Sequence, residues 1–132
     1  MRTAILDSFA VLAYLFGEPG KDKVVGVLER AAESDQNTLM ASPNWAEVRY
    51  QVERKAGAAG WESIREKLLA LPIEVIAVDR ALAETAGSIK AKRKMSLADC
   101  FAAALAKDRK GEVYTGDPEF KSVDGEVRIV WI

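Results

Sequence analysis

The stretch Arg2-Thr3-Ala4-Ile5-Leu6-Asp7-Ser8 decides the fold, because a short apolar run ends there in a carboxylate and an apolar helix pattern follows at once. A buried strand that delivers an acid to the start of a helix is typical of open α/β sheets. In such sheets, ligands bind in the crevice outside the carboxyl ends of parallel strands. The segment therefore predicts a central strand, with Asp7 at the edge of the sheet where a ligand would bind.

Strand and helix patterns alternate along the rest of the chain. Strand patterns cover residues 38–41, 73–78, 112–115 and 127–132, and helical spacing covers residues 9–16, 21–33, 43–55, 61–70, 80–92 and 97–108. The polar residues expected to cap helix starts are Ser8, Ser42, Asp79 and Ser96. This alternation predicts an α/β fold, a five-stranded parallel sheet covered by helices on both faces. Residues 1–132 are long enough to form one domain with its own core, and we expect a single domain.

The composition excludes several kinds of site. The chain has no histidine, so a Ser-His or Cys-His nucleophile pair is ruled out. Its one cysteine, Cys100, excludes an intrachain disulfide and makes a zinc site improbable. Carboxylates remain in quantity, 20 of them, and sites built only from oxygen atoms suit Mg²⁺, Mn²⁺ or Ca²⁺. The formal net charge of -1 argues against nucleic-acid binding by the whole surface and leaves room for a local basic patch.

The sequence also bears on location. No apolar run approaches the roughly 20 residues that a membrane-spanning helix needs. The first residues lead directly into a strand pattern, without a basic segment and a long apolar segment before it, so no signal peptide is expected. Together with the single cysteine, these features predict a cytoplasmic protein.

Four acids fall at the ends of strands or near the starts of helices, which is the edge where they can meet, although each has a structural alternative. For Asp7 the alternative is a turn or a helix cap, and for Asp117 it is the opening of an Asp-Pro turn. Glu47 shares a helix face with Arg54, so its structural alternative is an ion pair with Arg54 on a solvated face. Asp99 stands third in a capping-box pattern, but it shares its face with a stripe of alanines, which predicts a buried carboxylate.

The chain resembles the PIN domain family, and within it the small VapC-type toxins of toxin–antitoxin pairs. The resemblance covers nearly the whole chain. It is carried by Ile5-Leu6-Asp7-Ser8, by Trp45-Ala46-Glu47-Val48, by residues 96–103 around Asp99, and by residues 115–120, Thr-Gly-Asp-Pro-Glu-Phe. The resemblance implies a sheet of order 3-2-1-4-5 and Mg²⁺- or Mn²⁺-dependent cleavage of RNA. It also implies a cognate antitoxin as protein partner, and a homodimer, which would cover the apolar helix of residues 9–16.

The same resemblance assigns roles to individual residues. It implies that Asp7, Glu47, Asp99 and Asp117 form a catalytic, metal-binding quartet, with Thr115 and Ser8 as supporting hydroxyls. Within the quartet, we expect Asp7 and Asp99 to be the main metal ligands. We expect Asp117 to bind directly or through water, and Glu47 to orient a second metal ion or the attacking water.

A basic cluster precedes the Asp99 helix. Its members, Lys90, Lys92, Arg93 and Lys94, are candidates to attract RNA phosphates toward the acidic centre. The alternative is that they are solvated cations at a helix C-terminus, where the helix dipole favours positive charge.

Three other functions compete with a ribonuclease. A structure-specific DNA nuclease has a related acidic site, but 132 residues leave no room for the helical arch it requires. A phosphoacceptor receiver domain has similar length and topology, yet it would need an acidic pair after the first strand, where this chain has Asp7-Ser8. A non-catalytic RNA- or protein-binding domain remains open, and cleavage with and without EDTA distinguishes it.

Overall fold

The structure, a computed structural model that describes residues 2–132, places a five-stranded parallel sheet between two layers of helices. Its strands, in chain order, are β1 Ala4–Leu6, β2 Thr38–Ala41, β3 Ile73–Ile76, β4 Glu112–Thr115 and β5 Arg128–Trp131. Its helices are α1 Ser8–Phe16, α2 Lys21–Ser34, α3 Ser42–Leu69, α4 Arg80–Lys92, α5 Leu97–Arg109 and the 3₁₀ helix Pro118–Val123. The strand order is β3-β2-β1-β4-β5, and every pairing is parallel. The predicted α/β fold and strand order are confirmed.

Strand β1 lies at the centre because its side chains alternate between two cores. Ile5 packs into the core under α4 and α5, whereas Ala4 and Leu6 pack into the core under α1, α2 and α3. All three side chains are buried. A strand that is covered on both faces has no solvent-exposed side, which explains why its sequence is a continuous apolar run.

The structure corrects two of the predicted helix caps. Helix α1 is capped by Asp7, whose Oδ1 accepts a hydrogen bond from the Ala10 amide at 2.8 Å, and not by Ser8. Helix α3 follows Ala41 without a side-chain cap, so the hydroxyl of Ser42 does not have the capping role expected of it. Both serines are the first residues of their helices, one position beyond the cap. The predicted caps Asp79 and Ser96 are confirmed.

Other differences concern the segments between the predicted elements. Helix α3 includes the glycine-rich segment predicted to end it, with a sharp kink at Gly57, where φ is 73° and ψ is 177°. Such backbone angles are open almost only to glycine. Strand β3 ends at Ile76, two residues early, and lies at the edge of the sheet, so Glu74 and Val75 are exposed. The 3₁₀ helix that follows β4 was predicted only as a turn. Within residues 2–132, no helix has the length and apolar character to span a membrane.

Candidate metal centre

Asp7 is fully buried at the carboxyl end of the central strand. One of its oxygens, Oδ1, caps α1, so the structural role considered for this residue is real. The other oxygen, Oδ2, is buried and has no hydrogen-bond partner among the described residues. A buried carboxylate oxygen without a donor is costly, because it loses its hydration and gains nothing in return. Half of this carboxylate therefore remains available to a ligand.

Burial raises the pKa of Asp7 to about 7. Hydrogen bonding from the side chain of Thr115 and from the Ala10 amide opposes this rise, while the charges of Asp117 and Glu47 add to it. These influences place the hydroxyl of Thr115 and two further acids of the predicted set around Asp7. Thr115 is itself fully buried at the end of the neighbouring strand β4.

Asp99 lies in the first turn of α5, with 4% of its surface exposed. The Ser96 hydroxyl accepts a hydrogen bond from the Asp99 amide at 3.2 Å, as a capping box requires. The reciprocal bond does not come from Asp99, because Oε1 of Glu119 accepts the hydrogen bond of the Ser96 amide at 2.8 Å. The carboxylate of Asp99 is thus released from capping, and its buried Oδ2 has no partner in the part of the chain that the structure describes.

The pKa of Asp99 is raised to about 9, first by burial and then by the neighbouring carboxyl group of Asp117. The charge of Asp7 adds to the rise. Like charges held close together disfavour ionisation, and a cation between them removes that cost. A bound cation would therefore lower the pKa of Asp99 and stabilise its ionised form.

Asp117 and Glu119 bring two more carboxylates to the same point from the turn after β4. Asp117 Oδ1 accepts from the Glu119 amide at 2.9 Å, and the Asp117 amide donates to Thr115 Oγ1 at 3.0 Å, which fixes the turn. One carboxylate oxygen from each of Asp99, Asp117 and Glu119 lies within 4.8 Å of the other two.

Glu119 was not in the predicted set. The signal for it was an acid two residues beyond Asp117, directly after the proline that starts the 3₁₀ helix.

Glu47 reaches the site from α3, and Ser8 holds it there. The Ser8 hydroxyl donates to Oε1 of Glu47 at 2.5 Å, and the Tyr50 hydroxyl donates to Oε2 at 3.4 Å. Arg54, the alternative ion-pair partner, instead lies over the ring of Tyr50 at 4.7 Å. The two hydrogen bonds orient the Glu47 carboxylate from both of its oxygens.

These acids surround one cavity of about 350 Å³. Asp7, fully buried, does not line it. The lining residues are Ser8, Phe9, Leu12, Glu18, Glu47, Gln51, Ser96, Asp99, Asp117 and Glu119. Five of them are acids and none is a lysine or arginine, so the side chains of the cavity wall supply no positive charge. Oxygen donors without nitrogen or sulfur, two of them buried and lacking a partner, fit the ligand preference of Mg²⁺ or Mn²⁺.

Asn44 is a second residue near the site that sequence patterns did not single out. It is fully buried in the first turn of α3, and its Nδ2 donates to the backbone oxygen of Ala98 at 3.2 Å. This bond ties the helix of Glu47 to the residue just before Asp99. An asparagine near a helix start is usually read as a cap, which is why the sequence alone gave no reason to choose it.

The basic cluster does not line the acidic cavity. Lys90 donates to the backbone oxygen of Met95 at 2.7 Å, and Arg93 forms an ion pair with Glu126 at 2.7 Å. Lys92 and Lys94 are exposed. Two of the four cations therefore have structural partners, while a role of the cluster in attracting RNA stays a prediction.

Replacing Glu119 tests whether its carboxylate contributes to cation binding. Glu119→Gln keeps an oxygen to accept from the Ser96 amide but removes one charge, so we expect the metal-free melting temperature to hold or rise. Affinity for Mn²⁺ should fall several-fold, as measured by isothermal titration calorimetry. Glu119→Ala, which also removes the cap, should in addition lose about 1 kcal/mol of stability. Unchanged Mn²⁺ affinity in both variants would leave Glu119 as a capping residue only.

Comparison with known proteins agrees with this architecture. The family model of the PIN domain matches residues 4–126. No curated protein matches the chain at a significant level. Among solved structures, DNA-bound VapBC from Salmonella typhimurium is similar at 21% identity and a TM-score of 0.78, covering 99% of this chain and 98% of that one.

Two further structures show the same fold. VapBC2 from Rickettsia felis, bound to a DNA fragment from its promoter, gives a TM-score of 0.79 at 16% identity, covering 98% of both chains. VapC20 from Mycobacterium tuberculosis, described as a toxin that cleaves the sarcin-ricin loop, gives 0.71 at 16% identity, covering 92% of this chain and 95% of that one. The family model spans nearly the whole sequence, and the structure has the sheet that the resemblance implied. The chain belongs to the PIN domain family.

Proposed function

We propose that this protein is a metal-dependent endoribonuclease and the toxin of a VapBC-type toxin–antitoxin pair. The observation that carries the proposal is the pair of buried, unpartnered carboxylate oxygens, Asp7 Oδ2 and Asp99 Oδ2, beside a cavity walled by acids without a cation. A protein gains no stability from such an arrangement in the absence of a ligand, which favours a functional explanation.

The residues of the site would have different roles in phosphodiester hydrolysis. Asp7, Asp99 and Asp117 would hold one or two Mg²⁺ or Mn²⁺ ions, with Glu119 as an additional acid of the same cluster. Such an ion activates water, neutralises the phosphate and stabilises the leaving oxygen. Glu47, which is oriented by Ser8 and Tyr50, would orient a second metal ion or the attacking water and accept a proton from that water. Thr115 accepts a hydrogen bond from the Asp117 amide and so fixes the turn that carries Asp117, while its hydroxyl opposes the rise in the pKa of Asp7.

The partners we propose follow from the family and from the similar structures. Structures similar to this chain are described as complexes of VapB with VapC, some of them bound to DNA. We propose a cognate antitoxin for this chain, a cytoplasmic location, and a single nuclease domain over residues 1–132. The homodimer remains part of this proposal, with the partly exposed helix α1, where Phe9 is 40% exposed, as the surface it would cover.

Cleavage of RNA in the presence and absence of metal tests the proposal. The purified protein should cut a single-stranded RNA substrate internally when Mg²⁺ or Mn²⁺ is added and should be inactive in EDTA. Restoring the metal after chelation should restore cleavage, which separates loss of the ion from loss of the fold. A non-catalytic RNA-binding domain would retain RNA binding and cut nothing under any of these conditions.

A further inference from the structure

Outside the acidic cavity lie two neighbouring grooves, and most of the charged residues that line them are lysines and arginines. The first, about 260 Å³, is lined by Lys92, Arg93 and Lys107, and the second, about 330 Å³, by Arg2, Lys107, Lys110 and Arg128. The grooves share Lys107 and also Glu126, which is the one acid that lines either of them. They therefore form one continuous surface, which we call the basic groove.

The basic groove concentrates charge that the chain as a whole does not have. Six cations and one acid line it, while the rest of the sequence holds 13 cations against 19 acids. The pKa of Glu126 lies below its usual range, first because Arg93 donates to it and then because of the charges of Lys107 and Lys92. Cations from the ends of α4 and α5 therefore lie close enough to Glu126 to stabilise its charged form.

Two of these six cations form ion pairs with protein acids, and three lysines form none within residues 2–132. Arg93 is paired with Glu126, and Arg128 with Glu112 at 3.1 Å. In the described part of the chain, Lys92, Lys107 and Lys110 form no ion pair and no side-chain hydrogen bond, and all three are exposed. Free cations along a groove, drawn from separate helices and strands, are what a polyanion's regularly spaced charges require.

One end of the basic groove lies near the acidic cavity, whereas Arg2, Lys110 and Arg128 lie at the starts of β1, β4 and β5, at the opposite edge of the sheet. Arg93 lines the groove and Ser96 lines the cavity, and the two are three residues apart in the chain. Consecutive Cα atoms are about 3.8 Å apart, so the Cα atoms of these two residues are separated by no more than about 11 Å. An RNA strand whose reacting phosphate sits in the cavity can reach Arg93 first, and only a longer strand can continue along the groove to the cations at the opposite edge of the sheet.

We propose that the basic groove binds the phosphate backbone of the RNA substrate on one side of the cleavage point. This inference rests on the proposed ribonuclease function and adds where the substrate lies beyond the acidic cavity. The binding is electrostatic and independent of sequence, and it offsets the repulsion of RNA by the acids. Four of the cations involved, Arg2, Lys107, Lys110 and Arg128, lie outside the cluster that the sequence indicated.

Binding of RNA in EDTA, where no cleavage occurs, tests the groove. The test variant Lys92→Gln/Lys107→Gln/Lys110→Gln is compared with the control Lys55→Gln/Arg65→Gln/Lys67→Gln. The control changes three exposed cations of α3, gives the same net charge, and also removes a lysine from a last helical turn. The probes are single-stranded RNAs of about 4 and about 16 nucleotides, a range typical of single-strand binding sites. Affinity is read by fluorescence anisotropy across a series of salt concentrations.

The test variant should bind the long RNA on the order of tenfold more weakly, with a salt slope smaller by about 2, since each lost contact to a single strand contributes about 0.7. Binding of the short RNA should hardly change. In Mg²⁺, the variant should show a raised KM for the long RNA and an unchanged kcat, and Lys107→Gln alone should give part of the effect. The control should match the parent throughout.

Two results would overturn the inference: an unchanged salt slope for the long RNA in the test variant, or an equal loss in the control. The first would show that RNA phosphates do not contact Lys92, Lys107 and Lys110. A parent protein that cuts no RNA would instead count against the proposed function, so the two failures are distinguishable.

Discussion

Asp99→Asn should lose metal-dependent RNA cleavage by roughly a hundredfold or more, and yet leave the metal-free protein as stable as the parent or more stable. A metal ion contributes several kcal/mol to such a reaction, and each 1.4 kcal/mol is a factor of ten in rate. Asparagine keeps the shape of the side chain but cannot ionise to bind a cation. Burial, and then the neighbouring Asp117 and Asp7, raise the pKa of Asp99 to about 9, so the metal-free parent must hold a proton on this carboxyl at neutral pH. The stability gain follows because the amide is neutral without binding that proton.

Asp79→Asn is the matched control for this experiment. Asp79 also lies at a helix start, where its Oδ1 accepts from the Leu82 amide at 2.8 Å, but it belongs to α4 and does not line the acidic cavity. Asparagine is as good a cap as aspartate, so this variant should keep both activity and stability. Added Mn²⁺ should raise the melting temperature of the parent and the control, and raise that of Asp99→Asn much less. An active and destabilised Asp99→Asn protein would show that Asp99 is structural.

The second large effect is a fall in metal-free stability as the pH rises. Folded Asp7 and Asp99 have pKa values of about 7 and about 9, against 3.8 for an unperturbed aspartate. Between pH 4 and those values, the folded state holds protons that the unfolded state has released. The stabilisation from each group is therefore complete below about pH 4 and is lost as the pH rises through the folded-state pKa. The slope approaches about 1.4 kcal/mol per pH unit and per group.

Urea unfolding in EDTA at pH 5, 7 and 9 measures this effect. The chain has no histidine, so the group that most often obscures titrations in this range is absent. Asp7→Asn should remove about half of the slope between pH 4 and pH 7, and should leave the slope between pH 7 and pH 9, which comes from Asp99. Excess Mg²⁺ should flatten the dependence, because the ion binds the deprotonated acids and so stabilises the folded state most at high pH. Equal metal-free stability at pH 5 and pH 9 would contradict a buried, protonated pair.

The fold was largely predictable because its signals are local and repeated. The apolar run at residues 4–6 marked a strand buried on both faces, and the capping residues Asp79 and Ser96 marked the starts of α4 and α5. The errors lie where tertiary contacts decide. Ser8 looked like a cap, but its hydroxyl donates to Glu47, 39 positions along the chain, while Asp7 takes the capping role.

The candidate site was predictable only in part. Strand ends and helix starts indicated Asp7, Glu47, Asp99 and Asp117 at one edge, and the family resemblance implied that they form a metal-binding quartet. No local pattern shows that Glu119, and not Asp99, accepts the hydrogen bond of the Ser96 amide at the start of α5. Glu119 lies in the 3₁₀ helix, 23 residues away along the chain. The basic groove escaped notice for the same reason, because its cations come from four separate parts of the chain that meet only in the fold.

Anomalous X-ray scattering from crystals soaked in Mn²⁺ locates the ion that the acids are proposed to bind. We expect a strong manganese peak at the carboxyl edge of the sheet, with oxygens of Asp7, Asp99 and Asp117 in its coordination shell, and a much weaker peak in Asp99→Asn crystals. A protein that cuts RNA in Mn²⁺ but whose crystals show manganese only elsewhere, or show the same peak in Asp99→Asn, would contradict this metal site.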